Sequence, residues 1–201
     1  MPQKMTITRA FYVSAGQADI ITSHEFWKRG EDNPSEVSIT FSGQIEDCFR
    51  TIGAQAYLVS DRGDGAKLED GSFTFEHRAK AQGSGLAYYR AEWRYCLSLV
   101  ATARKFGADV ALVDSGAIPF FMMTMFRIAG IPVIPILHNC IWPKGFRPTG
   151  KMQRLVQVLD AWFMRWIPKC ILAVSPEAER QVSELAGQRH RPVHQIRAQI
   201  R

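Results

Sequence analysis

Short apolar runs alternate along this chain with longer stretches in which apolar positions recur every three to four residues. The first pattern reads as buried strand and the second as a helix with one inward face. Strands are predicted over 7–13, 55–60, 73–77, 109–113, 131–137, 169–174 and 193–198. Pro132 and Pro135 fall inside the fifth of these, and proline removes a ladder donor, so that strand is the weakest of the set. Between strands 7–13 and 55–60 lies a polar stretch holding His24, Asp32, Asn33 and Pro34. It reads as a long loop with at most a short helix. Ser42-Gly43-Gln44 then opens a helix in which Ile45, Cys48, Phe49 and Ile52 share helical spacing, and Gly53 stops it.

The helix over 86–106 places Tyr89, Trp93, Cys96, Leu97 and Val100 on one face. An apolar helix follows over 119–129. Another, capped by Thr149, turns Met152, Leu155, Val156, Leu159, Phe163 and Trp166 inward. Ser175-Pro176-Glu177 is a strong helix start: a capping hydroxyl, proline in the first turn, then carboxylates against the helix dipole. That helix ends at Gly187. Strands alternating with helices predict an α/β fold, a Rossmann-like parallel sheet with helices on both faces, as a single domain over 1–201. Ligands gather at the carboxyl ends of such strands, which singles out the loops after Val13, Val113, Leu137 and Val174.

Composition narrows the class. With 46% hydrophobic residues over 201 positions, the chain can bury a core of ordinary domain size. A net charge of +6 favours anions such as nucleotide phosphates or lipid headgroups without choosing among them, and no nucleic-acid partner is expected. Cys48, Cys96, Cys140 and Cys170 lie far apart in apolar or mixed segments, which suits buried free thiols in a reducing compartment. The apolar region from Val110 to Leu137 is broken by Asp114, Pro119, Arg127 and Gly130, so it reads as strand-helix-strand instead of a membrane span. No cleavable leader is visible before Gly16, and the expected location is cytoplasmic, at most peripheral at the inner face of a membrane.

Few residues stand out for chemistry. Gly43 at a helix start lets backbone N–H groups approach an anion, although a plain cap explains it more simply. His138 directly follows a strand, where an imidazole can hydrogen-bond a substrate hydroxyl or carry a proton. Asn139, Trp142, Lys144 and Arg147 extend the same loop with polar, aromatic and cationic side chains. His190 and His194 are spaced for a metal on a helix, but Pro192 between them forbids a regular helix, and no metal site is expected. Gly83-Ser84-Gly85 lacks the third glycine of a dinucleotide fingerprint and reads as a turn. Trp162 and Trp166, flanked by Lys151, Arg154, Arg165 and Lys169, suit an amphipathic face at a membrane or, more simply, core packing.

Taken in order, Ser42-Gly43-Gln44, Asp109-Val-Ala-Leu-Val-Asp114, Gly130-Ile-Pro-Val-Ile-Pro-Ile-Leu-His138 and Cys170-Ile-Leu-Ala-Val-Ser-Pro-Glu-Ala-Glu-Arg180 form a series. This series resembles the N-terminal domain of GT-B glycosyltransferases of the glycogen-synthase-like and mannosyltransferase-like group. The resemblance implies an acceptor-side Rossmann-like domain facing a second domain that grips a nucleotide sugar, with no metal and no cofactor. It implies that Gly43 approaches the donor phosphates and that His138 contacts the transferring sugar. Asn139 and Lys144 would contact substrate or phosphate, and Ser175 and Glu177 would shape the cleft. The family's pair of glutamates separated by seven residues does not occur here, and Asn139 stands where the family often has an acidic residue. The expectation is therefore an acceptor-side half without its donor-binding C-terminal domain, inactive alone: either a truncated product or one subunit of a split enzyme that a donor-domain partner would complete. The alternative is a non-catalytic Rossmann-like scaffold that recruits a catalytic partner to a membrane.

Overall fold

A computed structural model describes residues 7–31, 33, 41–143 and 146–196. Its elements are β1 (Arg9–Ser14), α1 (Ile20–Arg29), α2 (Phe41–Thr51), β2 (Gln55–Ser60), β3 (Lys67–Asp70) and β4 (Phe73–His77). They continue with α3 (Gly85–Phe106), β5 (Val110–Asp114), a 3-10 turn (Phe120–Met123) running into α4 (Thr124–Ile128), and β6 (Val133–Leu137). The last are α5 (Lys151–Trp166), β7 (Ile171–Ala173), α6 (Pro176–Ala186) and β8 (Val193–Gln195). The strands make one sheet in the order β3-β4-β2-β1-β5-β6-β7-β8. Every pairing is parallel except that of β3 with β4, a short antiparallel edge strand that the sequence pattern does not reveal.

Alternation along each strand divides the core in two. Tyr12, Leu58, Phe75, Val110 and Ile136 face α1 and α2, which contribute Ile20, Ile45 and Phe49. Phe11, Val13, Val59, Val113, Leu137 and Ala173 face the other helices, which contribute Leu99, Phe126, Phe163 and Val182. The chain builds outward from β1 to one side, then crosses back through α3 to lay β5 against the other side of β1. Sheets wound this way open a crevice at the carboxyl ends of the two strands that flank the reversal, here β1 and β5. Pro135 sits within β6 despite its missing donor. The carbonyls of Pro132 and Ile136 serve β5, so Pro135 turns toward β7, whose pairing begins only at Ile136.

Several expectations are corrected by the structure. The stretch around His24 is a full ten-residue helix, because Asp19 accepts from Thr22 N at its start and Gly30, at φ 70, closes its end. The inner face of α3 is rotated from the predicted one: Tyr95, Cys96, Leu99, Val100 and Ala103 are buried, while Trp93 and Leu97 stay 40% and 39% exposed. On α5 the buried residues are Asp160, Phe163 and Met164, whereas Met152, Leu155 and Trp166 are at least half exposed. Gly150, not Thr149, takes the cap position, and its N–H donates to Gln153 Oε1 at 3.1 Å. The predicted helix over 119–129 is a 3-10 turn followed by only five α-helical residues. Of the four free cysteines only Cys96 is buried.

Two buried ionisable groups shape the stability. His24, 1% exposed, places Nδ1 at 2.8 Å from Glu46 Oε1 and Nε2 at 2.9 Å from Asp70 Oδ2. Burial opposes its charge, but hydrogen bonds to Glu46 and Asp70 outweigh that and raise its pKa above 6.5. A raised folded value means that the stabilisation is complete below pH 6.5 and is lost as pH rises through that folded value. Asp160 presents the opposite case. Burial pushes its carboxyl up to about 6 against a single hydrogen bond from Phe121 N at 2.9 Å. The folded state therefore disfavours the ionised Asp160, and that cost grows between pH 3.8 and about 6.

Urea titrations at about pH 5.5 and about pH 9 should show wild type losing more stability on alkalinisation than His24→Gln. Equal losses would mean that the imidazole carries no such linkage. For Asp160→Asn, stability relative to wild type should improve by on the order of 2 kcal/mol between about pH 4 and about pH 7.5. A pH-independent difference would show that Asp160 titrates normally.

Candidate functional site at the carboxyl rim of the sheet

Strands β1 and β5 are sealed on both faces up to their last residues, so polar groups concentrate where the chain leaves the sheet. Ser14 closes β1, Asp114 closes β5, and His138 follows β6 directly. In the loops after β1 and β5, Gly16 and Gly116 adopt φ 79 and φ 95, which lets the chain turn sharply off the sheet. A Cβ on Gly116 would lie 3.7 Å from that of Ala15, so the two loops run against each other at the crevice.

Asp114 is the hub of this rim. Its side chain is buried, and Oδ2 accepts the Tyr12 hydroxyl at 2.7 Å and a longer contact from Ala15 N at 3.4 Å. Its Oδ1 lies 2.7 Å from Nε2 of His138, whose ring is 22% exposed at the rim. His138 is also held through its backbone, since its N–H donates to Ser115 Oγ at 3.2 Å. Tyr12 is fully buried, and burial together with the Asp114 charge holds its phenol well above its ordinary pKa. Tyr12 therefore keeps its proton and donates a hydrogen bond to the carboxylate. The contact sets one nitrogen of the imidazole against a buried carboxylate. Such a group can accept a hydrogen bond from a hydroxyl or take up a proton.

Neighbouring loops are pinned around this hub. Lys80 Nζ donates to the Ala117 carbonyl at 2.9 Å and pairs with the buried Glu92 at 2.7 Å, tying α3 to the loop after β5. Gln17 N donates to Asp61 Oδ1 at 2.5 Å, and Arg62 reaches Asp19 at 3.0 Å, joining the loops after β1 and β2. The loop after His138 is stapled to α6 by the buried Gln181, which accepts from Trp142 N at 3.1 Å and donates to the Trp142 carbonyl at 2.9 Å.

The structure places the sequence-predicted residues unevenly. His138 and Asn139 stand together at the end of β6, with Asn139 exposed. Lys144 lies outside the described residues. Trp142, expected in the loop as a contact residue, is buried, with Arg147 stacked 5.1 Å from its ring. Ser175 begins α6, and its hydroxyl is engaged as the helix cap, accepting from Ala178 N at 3.2 Å. Glu177 pairs with Arg180 at 2.6 Å and accepts from Gln181 at 3.0 Å. Gly43 lies in the first turn of α2, in the helix layer on the opposite face of the sheet from α5 and α6. Because α2 leads straight into β2, its first turn stands at the level of the same rim.

His190 is occupied by Ser183 and by its neighbour's carbonyl, and no metal-sized cluster of His, Cys, Asp or Glu exists among the described residues. In the sequence Asp114 stands out only as a break in an apolar region, and Tyr12 does not stand out at all. The available signal was a carboxylate ending a wholly apolar strand, since a buried carboxylate requires partners.

No family model matches the chain, and no curated protein matches it in sequence. Its likeness to known proteins is one of fold, to GT-B glycosyltransferases over about one of their domains. It superposes on a sucrose-phosphate synthase chain from Thermosynechococcus elongatus with TM-score 0.62 and 8% identity, covering 95% of this chain and 89% of that one. Against a second chain of the same synthase the TM-score is 0.60 at 8% identity, with 94% of this chain but only 48% of the other covered. The alpha,alpha-trehalose 6-phosphate synthase of Burkholderia multivorans gives 0.57 at 14% identity, covering 89% of this chain and 42% of that one. The chain thus spans about half the length of these two longer relatives.

Removing the donor that serves Asp114 tests the hub. Tyr12→Phe should destabilise the fold by about 1–3 kcal/mol in urea unfolding, because a buried carboxylate loses its strongest neutral partner. A change within about 0.3 kcal/mol would show that Asp114 does not depend on Tyr12.

Proposed function

We propose that this chain is the acceptor-side half of an enzyme that transfers a glycosyl unit from a nucleotide sugar to an acceptor. The observation that carries the reading is the Asp114–His138 pair at the carboxyl rim beside the β1/β5 crevice. The shared fold with sucrose-phosphate and trehalose-6-phosphate synthases supports it. In this reading His138 hydrogen-bonds a hydroxyl of the transferring sugar, and Asp114 fixes the imidazole for that contact. Gly43, in the first turn of α2, brings backbone N–H groups toward the donor phosphates. Asn139 and Lys144 continue the loop from His138 and contact acceptor or phosphate. Ser175 and Glu177, already bonded within α6, shape the wall of the cleft from the end of β7.

The donor-binding domain is supplied from outside these 201 residues, by further polypeptide or by a partner subunit. The chain alone then binds acceptor and turns over little. Charge on the departing phosphate is offset by side chains and helix dipoles in this scheme, so neither metal nor cofactor takes part. A second reading, a non-catalytic scaffold that brings a catalytic partner to a membrane, is favoured by one observation: the exposed apolar side chains of α3 and α5.

Backbone NMR during titration with UDP-glucose and with glucose 6-phosphate separates the two. The transferase reading expects millimolar ligand to shift amides of Ser115, His138 and Asn139, with the response lost in His138→Ala. Shifts confined to other parts of the fold, or none with either probe, would favour the scaffold. In an enzyme completed by its donor-binding half, His138→Ala should abolish turnover while the fold survives. Unchanged turnover would remove His138 from the site.

A further inference from the structure

The helices α3 and α5 do not close over the 3-10 turn that lies between them. Phe121 and Met122 of that turn floor an open cavity of about 580 Å³, walled by Leu86 and Trp93 from α3 and by Leu155 and Leu159 from α5. The apolar surface continues beyond the cavity. Leu155, Leu159, Trp162 and Trp166 recur at helical spacing down α5, and each is 36% exposed or more. An isolated exposed leucine needs no explanation, but a contiguous apolar face with three half-exposed tryptophans does.

The exposed charges that α3 and α5 themselves carry beside this face are of one sign. Arg90 and Arg94 on α3, and Lys151 and Arg154 on α5, are all exposed, and none forms an ion pair among the described residues. Each of these helices contains a single acidic residue, and both are withdrawn from the surface. Glu92 is fully buried against Lys80, and Asp160 is buried beneath the groove with Phe121 N as its donor. The exposed face therefore offers apolar and aromatic surface bordered by unpaired cations, with no carboxylate from either helix.

The geometry points to a docking surface for an anionic phospholipid membrane. Lipid satisfies both halves of the pattern at once: acyl chains accept the apolar stripe, and phosphate headgroups meet the cations. Tryptophan and arginine both join an apolar body to a polar tip, which suits the boundary between the two. A second copy of this chain fits poorly, because an isologous contact would bring the same cations together without a compensating acid. This inference goes beyond the transferase reading and stands independently of it, since it concerns the helix layer and not the carboxyl rim.

Co-sedimentation with vesicles tests it. The chain should pellet with vesicles containing one-third phosphatidylglycerol in phosphatidylcholine and stay in solution with phosphatidylcholine alone. Binding should fall as salt rises, and tryptophan emission should shift to the blue on binding. Arg90→Gln and Arg94→Gln should each weaken binding about fivefold. Leu155→Ser combined with Trp162→Ser should weaken it at least about tenfold. All four side chains are exposed, so urea unfolding should confirm that the variants remain folded. Absence of binding to the anionic vesicles would overturn the proposal, as would equal binding to both vesicle types. So would binding that ignores these substitutions, or a concentration-dependent dimer dissolved by Leu155→Ser.

Discussion

A parallel sheet covered by helices on both faces leaves its central strands no solvent on either side, and most of this molecule follows from that constraint. Residues Ala10 to Val13 of β1 and Val110, Ala111 and Val113 of β5 are inaccessible, so they must be apolar or fully bonded. Polar side chains are pushed to where the strands end. At the carboxyl end this gathers Ser14, Asp114, Ser115 and His138 into one region, although they come from three separate parts of the sequence. Asp114 is the most demanding member, because a carboxylate in that position is tolerable only with donors around it. Tyr12 from the adjacent strand donates to it, and the His138 ring from the next loop lies against its other oxygen.

The same accounting explains why the rim is well braced. Lys80 and Glu92, Gln181 and the Trp142 backbone, and Gln17 with Asp61 each connect a rim loop to a different element. A site assembled from loops alone would be imprecise, whereas loops bound to helices α3 and α6 inherit the rigidity of the packed layer. The strand order places this braced rim at the reversal between β1 and β5, the point where sheets of this kind bind ligands.

The helix layer on the α3–α6 side obeys the constraint only in part. Met164, Phe163 and Leu99 seal the sheet, but the outward halves of α3 and α5 keep apolar side chains in water. Hydropathy periodicity alone reads both outward stripes as core, because an exposed apolar residue and a buried one have the same letter. The buried acids Glu92 and Asp160 reverse the usual arrangement, in which charge faces out. That inversion leaves the surface cationic and apolar together.

The alternation of apolar runs with helical periodicity determined the α/β class, the parallel character of the sheet and nearly every element in order. Local patterning dictates these directly: period-two or continuous apolar segments bury as strands, and caps such as Ser175-Pro176 start helices wherever they occur. It also placed His138 at a strand end, where function concentrates. Other features depended on which distant segments become neighbours. The edge strand β3 exists only because β4 offers it a partner, and the buried His24 side chain finds Glu46 and Asp70 on other elements. Tyr12 meets Asp114 across 102 positions of sequence and Asp114 in turn meets His138, while α5 faces outward with the 3-10 turn and α6 on its inner side. A sequence pattern records the environment each residue prefers. Only the packed structure decides which neighbours provide that environment, and which apolar surfaces are left without any.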